Sequence, residues 1–258
     1  MIATKTHRHF AVAFAVAAVT AALMLCLPNA AWAAEESEPN DSFATADSVS
    51  LGQNMYGTST RTRVSQGLLY STLEDDEDYY TINVPEKGTY KFTFANDDFG
   101  DKWREMYIEM YNQYYERVAS FSASLDTTRP QSENLTLSKG VHYVKAYVGS
   151  EKQTHQYHFK LTPVINKTSI SKVTAGKKAA TVKFKKKVGS SKYQVRYSAK
   201  SSMKGAKTVT VKKSAGSVKI KKLKANKKYY FQVRVVKTLD GKNFYSGWSA
   251  KKSVKVKR

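Results

Sequence analysis

From Tyr79 to Val256, apolar residues keep returning at every second position in short runs broken by turn residues. A period of two puts one set of side chains on one face of an extended segment, so the pattern predicts strands. Tyr79 to Val84 is one run. Lys87-Gly88 reads as a turn, and Tyr90, Phe92 and Phe94 share a face of the next strand. Asn96-Asp97-Asp98 breaks the chain; Leu135 to Leu137, Val141 to Val148 and Tyr157 to Leu161 follow as further strands. Upstream, a polar stretch carries Gly52, Gly57 and Gly67, which read as turn points. Many short strands with turns between them predict a β-sandwich of jelly-roll type.

From about Thr168 the same alternation continues with a different polar partner. Ala180, Val182 and Phe184, then Tyr193, Val195 and Tyr197, then Val209 and Val211 alternate mainly with Lys, Arg, Gln and Thr. Val218 and Ile220 follow, then Tyr229, Phe231, Val233 and Val235, then Val254 and Val256. Six or seven short strands in this space fit an immunoglobulin-like sandwich. The chain is therefore expected to be all-β, with two β-sandwich domains.

Charge sharpens the division. Of 43 Lys and Arg residues, 29 lie from Pro163 onward, against a single acid there, Asp240. Residues 34–162 carry a net −8 instead. Such a break predicts a boundary beside Pro163, giving domains at 34–163 and 164–258. Residues 1–33 read as a secretory signal: Lys5 and Arg8, an apolar stretch from Phe10 to Leu27, and Ala31-Trp32-Ala33 as the cleavage site. The lone cysteine, Cys26, falls inside that segment, so the mature chain has no thiol for disulfides, nucleophilic catalysis or thiolate metal sites. A secreted or extracellular location is expected, with cell-wall association possible through the basic half and no transmembrane segment after cleavage.

Two acidic clusters stand near the start of the mature chain, E-S-E-P-N-D at Glu36 to Asp41 and E-D-D-E-D-Y-Y at Glu74 to Tyr80. In an extended segment Glu36, Glu38 and Asn40 point the same way. With the second cluster folded beside the first, the pair offers the six to eight oxygens a calcium ion takes. The alternative is a solvated acidic loop. Read as a strand, Tyr107 to Tyr111 turns Met106, Ile108 and Met110 inward and Trp103, Tyr107 and Tyr111 outward, an aromatic strip able to grip sugars or extended peptides. The same spacing also fits a helical stripe, and a core or edge role competes with the ligand role. His142, His155 and His158 are the histidines of the mature chain; on a strand the last two face opposite ways, and no catalytic motif accompanies them. No enzyme activity is expected.

These segments resemble known families. E-S-E-P-N-D-S-F-A-T-A at Glu36 to Ala46, and D-x-x-D-Y-Y at Asp75 to Tyr80 followed by T-I-N-V-P and G-T-Y-K-F-T-F, are similar to bacterial pre-peptidase C-terminal domains, over roughly Glu36 to Thr162. That resemblance implies a β-sandwich binding or accessory module. In the related collagen-binding modules of clostridial collagenases the corresponding segments bind calcium. This implies Glu36, Glu38, Asn40, Asp41, Asp75 and Asp78 as Ca2+ ligands, with Tyr79 giving a backbone oxygen and no role assigned to Glu74, Asp76 or Glu77.

Leu223 standing six residues before Tyr229, the segments Tyr193 to Ser198 and Phe231 to Val236, and Y-S-G-W-S at Tyr245 to Ser249 resemble fibronectin type III domains of Gram-positive surface proteins. The fold implied says little about ligand. The Lys density points to a polyanionic partner such as an anionic cell-wall polymer or glycan, with an extracellular matrix protein as a further partner; no nucleic-acid motif is present. Lys serving only as a solvent-facing filler, or docking on the acidic half, are the competing readings. The expected function is non-catalytic surface binding or adhesion, and the alternative is an accessory subunit of a separate secreted peptidase or glycoside hydrolase.

Overall fold

The computed structural model describes residues 33–65, 71–97, 105–124, 130–149 and 153–258. Residues 1–32 of the signal segment, the turn glycine Gly67 and Trp103 therefore lie outside the described residues. Within them every regular element is a strand. The first half contains β1 (Ala33–Glu35), β2 (Asp47–Val49), β3 (Asn54–Ser65), β4 (Ser71–Asp75), β5 (Asp78–Val84), β6 (Gly88–Asn96), β7 (Glu105–Tyr111), β8 (Arg117–Ser124), β9 (Gln131–Leu137), β10 (Gly140–Val148) and β11 (Gln153–Pro163).

These strands make two sheets. One runs β1-β3-β11-β6-β9, with β4 added beside β3; the other runs β2-β5-β10-β7-β8. The predicted alternation is realised directly. Tyr90, Phe92 and Phe94 of β6 and Tyr157, Phe159 and Leu161 of β11 are buried from the first sheet. Tyr80, Ile82 and Val84 of β5, Val144 and Ala146 of β10, and Met106, Ile108 and Met110 of β7 are buried from the second. A stacked Phe92–Phe121 pair and a tilted Phe94–Phe121 pair, with ring centroids 5.2 and 5.6 Å apart, join the layers.

One expectation is corrected. Gly57 is not a turn point but an interior residue of β3, facing Tyr157 across the β3–β11 ladder. Polarity hid this strand: its outward residues include Tyr56, Thr58 and Thr60, and only Met55 among its early residues belongs to the core. A glycine inside a strand marks a place where another group comes close, and here that group is part of the site described below.

The second half is built from β12 (Ile170–Gly176), β13 (Ala179–Phe184), β14 (Lys192–Ser198), β15 (Lys207–Lys212), β16 (Ser217–Ile220), β17 (Lys228–Leu239), β18 (Lys242–Tyr245) and β19 (Lys252–Lys255). A three-stranded sheet, β12-β13-β16, faces a sheet ordered β15-β14-β17-β18, with β19 also pairing β17. Ala180, Val182, Tyr193, Val195, Phe231 and Val233 are fully buried between them. Leu223 is buried in this core, and the Tyr229 hydroxyl accepts the Lys224 amide N–H at 3.2 Å, closing the corner that their spacing suggested.

Y-S-G-W-S behaves differently from an ordinary strand. The Ser246 and Ser249 hydroxyls accept the amides of Val235 and Val233, each at 3.0 Å, so the segment is stitched to β17 by side chains as well as backbone. This lays the Trp248 ring between two guanidiniums, Arg196 at 4.3 Å and Arg234 at 4.5 Å, while Arg234 also covers Tyr245 at 4.0 Å. Gln232 and Gln194 accept the remaining edges of Arg196 and Arg234. Ring faces and amide oxygens thus hold two like charges side by side where no acid is present.

The β17–β18 hairpin reaches the first sandwich. Leu239 and Phe244 pack against its core, Phe244 lies over Gly52, and Lys237 pairs with Glu86.

Candidate metal centre

The acidic segments predicted to approach one another do meet. Glu36 leaves β1 beside β3, and its backbone N–H donates to the Tyr56 carbonyl. Its carboxylate is held from both sides: Oε1 accepts the Thr58 amide at 2.5 Å and Oε2 accepts the Tyr80 hydroxyl at 2.6 Å. Asp76 follows β4. It exchanges backbone and side-chain hydrogen bonds with Thr60, and its carbonyl accepts the Ser59 hydroxyl at 2.6 Å. Asp78 opens β5 and is fully buried.

Carboxylate oxygens of Glu36, Glu38 and Asp78 lie within 4.8 Å of one another, as do those of Glu38, Asp41 and Asp76. Glu38 belongs to both groups, so five carboxylates form one continuous patch from the exposed Glu38 and Asp41 down to Asp78. No Lys, Arg or His forms an ion pair with any of the five among the described residues.

Two buried groups lack the partners that burial demands. Asn40 is fully buried, yet neither its side-chain oxygen nor its nitrogen has a hydrogen-bond partner; one oxygen of Asp78 is in the same state. Buried polar atoms are normally satisfied, and leaving one bare costs about 1–3 kcal/mol. The Asn40 backbone is anchored, its carbonyl taking the Tyr79 N–H at 3.0 Å and its own N–H donating to Glu38.

Electrostatics point the same way. Burial pushes the Asp78 carboxyl up to about 9; the Tyr157 hydrogen bond opposes this, and repulsion from Glu36, Asp76 and Glu38 adds to it. Burial likewise raises Glu36 and Asp76. Beneath the patch, contacts of 2.6, 2.6 and 2.5 Å link Glu36 to Tyr80, Tyr80 to Tyr157, and Tyr157 to Asp78. Two hydroxyl protons serve three contacts, so the third proton comes from a carboxyl when no cation is bound. A divalent cation bound at the patch would supply the neutralising charge in place of that proton. The donor set, carboxylate oxygens with no nitrogen or sulfur, suits a hard cation of the calcium type.

The residues named from sequence are placed as follows. Glu36, Glu38, Asp41 and Asp78 come together, with Asn40 between the first segment's acids. Asp75 ends β4 opposite Arg61, and its carboxylate is outside the described side chains. Asp76, which had no role from sequence, contributes its carboxylate to the patch. Tyr79 turns its ring away to Phe43 at 4.7 Å, with its hydroxyl on Glu77. The signal that could have found Asp76 is parity: Asp76 and Asp78, not Asp75 and Asp78, share a side in extended chain.

Tyr107 and Tyr111 lie on the face of β7 opposite its buried methionines, within a network of rings. Tyr107 stacks on Tyr147, and Tyr111 packs on Phe43 with its hydroxyl on Glu109. Burial raises Glu109, but hydrogen bonds from Tyr111 and Arg117 outweigh it and hold the carboxyl low. Of the histidines, His142 is buried and lowered by that burial, and His158 faces Asp97 at 2.7 Å on the side of β11 away from His155.

No protein-family model matches this chain, and no curated protein matches it. Similar solved structures include the pre-peptidase C-terminal domain of a collagenase from Bacillus anthracis, 17% identical over 45% of this chain and 94% of that one, with a TM-score of 0.32. A segment of two fibronectin type III domains from chicken tenascin is 17% identical over 69% of this chain and 98% of that one, TM-score 0.33. A β-1,2-glucanase from Parabacteroides distasonis is 12% identical over 80% of this chain, TM-score 0.32; the match spans 37% of the glucanase. Among the described residues no helix is long and apolar enough to cross a membrane.

Proposed function

We propose that this chain is a secreted, non-catalytic binding protein of the adhesion type. Its first sandwich, similar to pre-peptidase C-terminal domains, is completed by calcium held through Glu36, Glu38, Asp41, Asp76 and Asp78 with the Asn40 side chain. Its second, similar to fibronectin type III domains, keeps the protein at an anionic wall polymer or glycan. The observation that carries the reading is the gathering of five carboxylates, without an ion-pair partner among the described residues, in segments that also hold two buried groups with unsatisfied atoms, the Asn40 side chain and one oxygen of Asp78. Calcium supplies charge neutralisation and ties the 36–41 segment to the β4–β5 turn; the ring-lined outer face of β7 and β10 then offers the surface for a peptide or sugar.

The test is retention of the whole chain on cell walls, sulfated glycan and matrix protein, each in calcium and in EDTA. An adhesin is retained unaided, and more strongly in calcium. Retention on none of these, with recovery of a hydrolase from the secreting cells' medium, would replace this reading with the accessory-subunit one.

A further inference from the structure

The second sandwich contains a concave site at one end. A cavity of about 440 Å³ lies between the β14–β15 turn and the β16–β17 connection. Five lysines line it: Lys200, Lys204 and Lys207 from the first side, Lys222 and Lys224 from the second, with Tyr229 in its wall. None of the five forms an ion pair among the described residues. Five exposed lysines at one hollow place like charges near each other, and an anion held there relieves that repulsion.

The backbone here is specialised. Lys222 has φ 60° and Met203 φ 62°, left-handed conformations that cost a residue with a side chain about 1–2 kcal/mol. The bend at Lys222 belongs to the short connection that brings Lys222 and Lys224 to the same cavity. Met203 is buried under the facing turn, between Lys200 and Lys204.

The position separates this site from the acidic half of the chain. Tyr229 is at the start of β17 and Leu239 at its end, where the hairpin packs on the first sandwich. A strand of this length spans about 35 Å. The acidic patch of the same molecule is thus not its occupant, and the one acid of the second half, Asp240, sits at the far end of β17 too.

We propose that this five-lysine cavity is the specific anion-binding site of the chain, taking phosphate or sulfate groups borne on a sugar or polyol polymer. It rests on the polyanion reading above and deepens it, replacing a diffuse basic surface with a defined receptor. The cavity has room for an anionic unit with part of its carrier, and Tyr229 gives that carrier an apolar wall with a polar tip.

The experiment measures binding of the full chain to immobilised heparin and, separately, to poly(glycerol phosphate), over a salt series. The cavity variant carries Lys200→Gln, Lys204→Gln and Lys224→Gln with Lys222→Gly. Glycine accepts the left-handed conformation freely, so that last change removes charge without straining the fold. The control variant removes as many lysines from the three-stranded sheet and its end: Lys172→Gln, Lys183→Gln, Lys219→Gln and Lys185→Gln. Loss of four phosphate or sulfate contacts is expected to weaken binding by at least about tenfold and to flatten its salt dependence, with the control changed far less. Whichever polymer shows the difference identifies the source of the anion. Equal loss in both variants overturns the cavity while leaving a general polyanion surface. Binding of neither polymer by the unaltered chain overturns both. Lys222→Gly alone guards against misfolding: it should melt no lower than the unaltered chain and still weaken binding.

Discussion

In EDTA, the stability of the first sandwich is expected to fall as pH rises from about 4 to about 9, and calcium is expected to suppress most of that fall. The group responsible is Asp78, whose carboxyl burial holds near 9, against Tyr157's hydrogen bond and with help from the neighbouring acids. Between its unfolded and folded values the native state keeps a proton that the unfolded chain has released. Stability then falls with pH, by at most about 1.4 kcal/mol per unit for one fully shifted group. The contribution is fully present below the unfolded value and is lost as pH rises through the folded one. Glu36 and Asp76, also raised by burial, act in the same direction. A cation makes the ionised form the preferred one, so that neither state holds the proton over this range and most of the slope disappears. The comparison is of urea midpoints at pH 5 and pH 8, for the unaltered chain against Asp78→Asn, which cannot titrate at that position. An unaltered chain whose EDTA midpoint rises relative to Asp78→Asn over this range contradicts the buried-carboxylate description.

Gly57→Ala is expected to destabilise the first sandwich by about 1–3 kcal/mol and to abolish calcium binding. The backbone at Gly57 is ordinary strand. Propensity alone would therefore favour alanine by about 0.5–1 kcal/mol. Space dictates the opposite sign: an added Cβ would stand 2.5 Å from Glu36 Oε2 and overlap the Tyr157 ring. Tyr157 is fully buried and tied to both Tyr80 and Asp78, so it has nowhere to retreat. The movable partner is Glu36, and its displacement takes a carboxylate out of the patch proposed to hold calcium. Gly205→Ala, with open space around it but a φ of 67°, is the matched control, expected to cost about 1 kcal/mol and leave calcium binding intact. A Gly57→Ala protein as stable as the unaltered one would mean that the packing around Tyr157 is not as tight as described.

The contrast between Gly57 and Phe92 shows where the sequence is legible. Phe92 stands in a run that alternates cleanly, and a strand with one face in the core is the outcome such a run specifies. β3 carries the same period in polar residues, because its outer positions face water and its inner positions approach the acidic centre. Serine, threonine and glycine give hydropathy nothing to detect. The acidic patch divides similarly. Oxygen-rich segments are visible as composition, so the meeting of Glu36, Glu38, Asp41 and Asp78 was foreseeable. The choice of Asp76 depends on the register of the turn between β4 and β5, which a resemblance carried position by position does not resolve. The burial of Asn40 depends on packing from both segments. Contacts between distant elements, Phe244 on Gly52 and Trp248 between Arg196 and Arg234, leave no local pattern at all, since each joins residues whose partners only the completed sheets define.

The most direct test of the calcium centre is thermal unfolding of the full chain in EDTA and in 2–5 mM calcium, beside an Asp76→Asn/Asp78→Asn variant; extracellular modules bind with dissociation constants of about 10⁻⁴–10⁻³ M, within reach of that range. The expected result is a rise of several degrees in the transition of the unaltered chain, from about 1–2 kcal/mol of linkage, and no rise in the variant. An unaltered chain that melts at the same temperature in EDTA and in calcium contradicts the centre, and an equal rise in both proteins places the ion elsewhere.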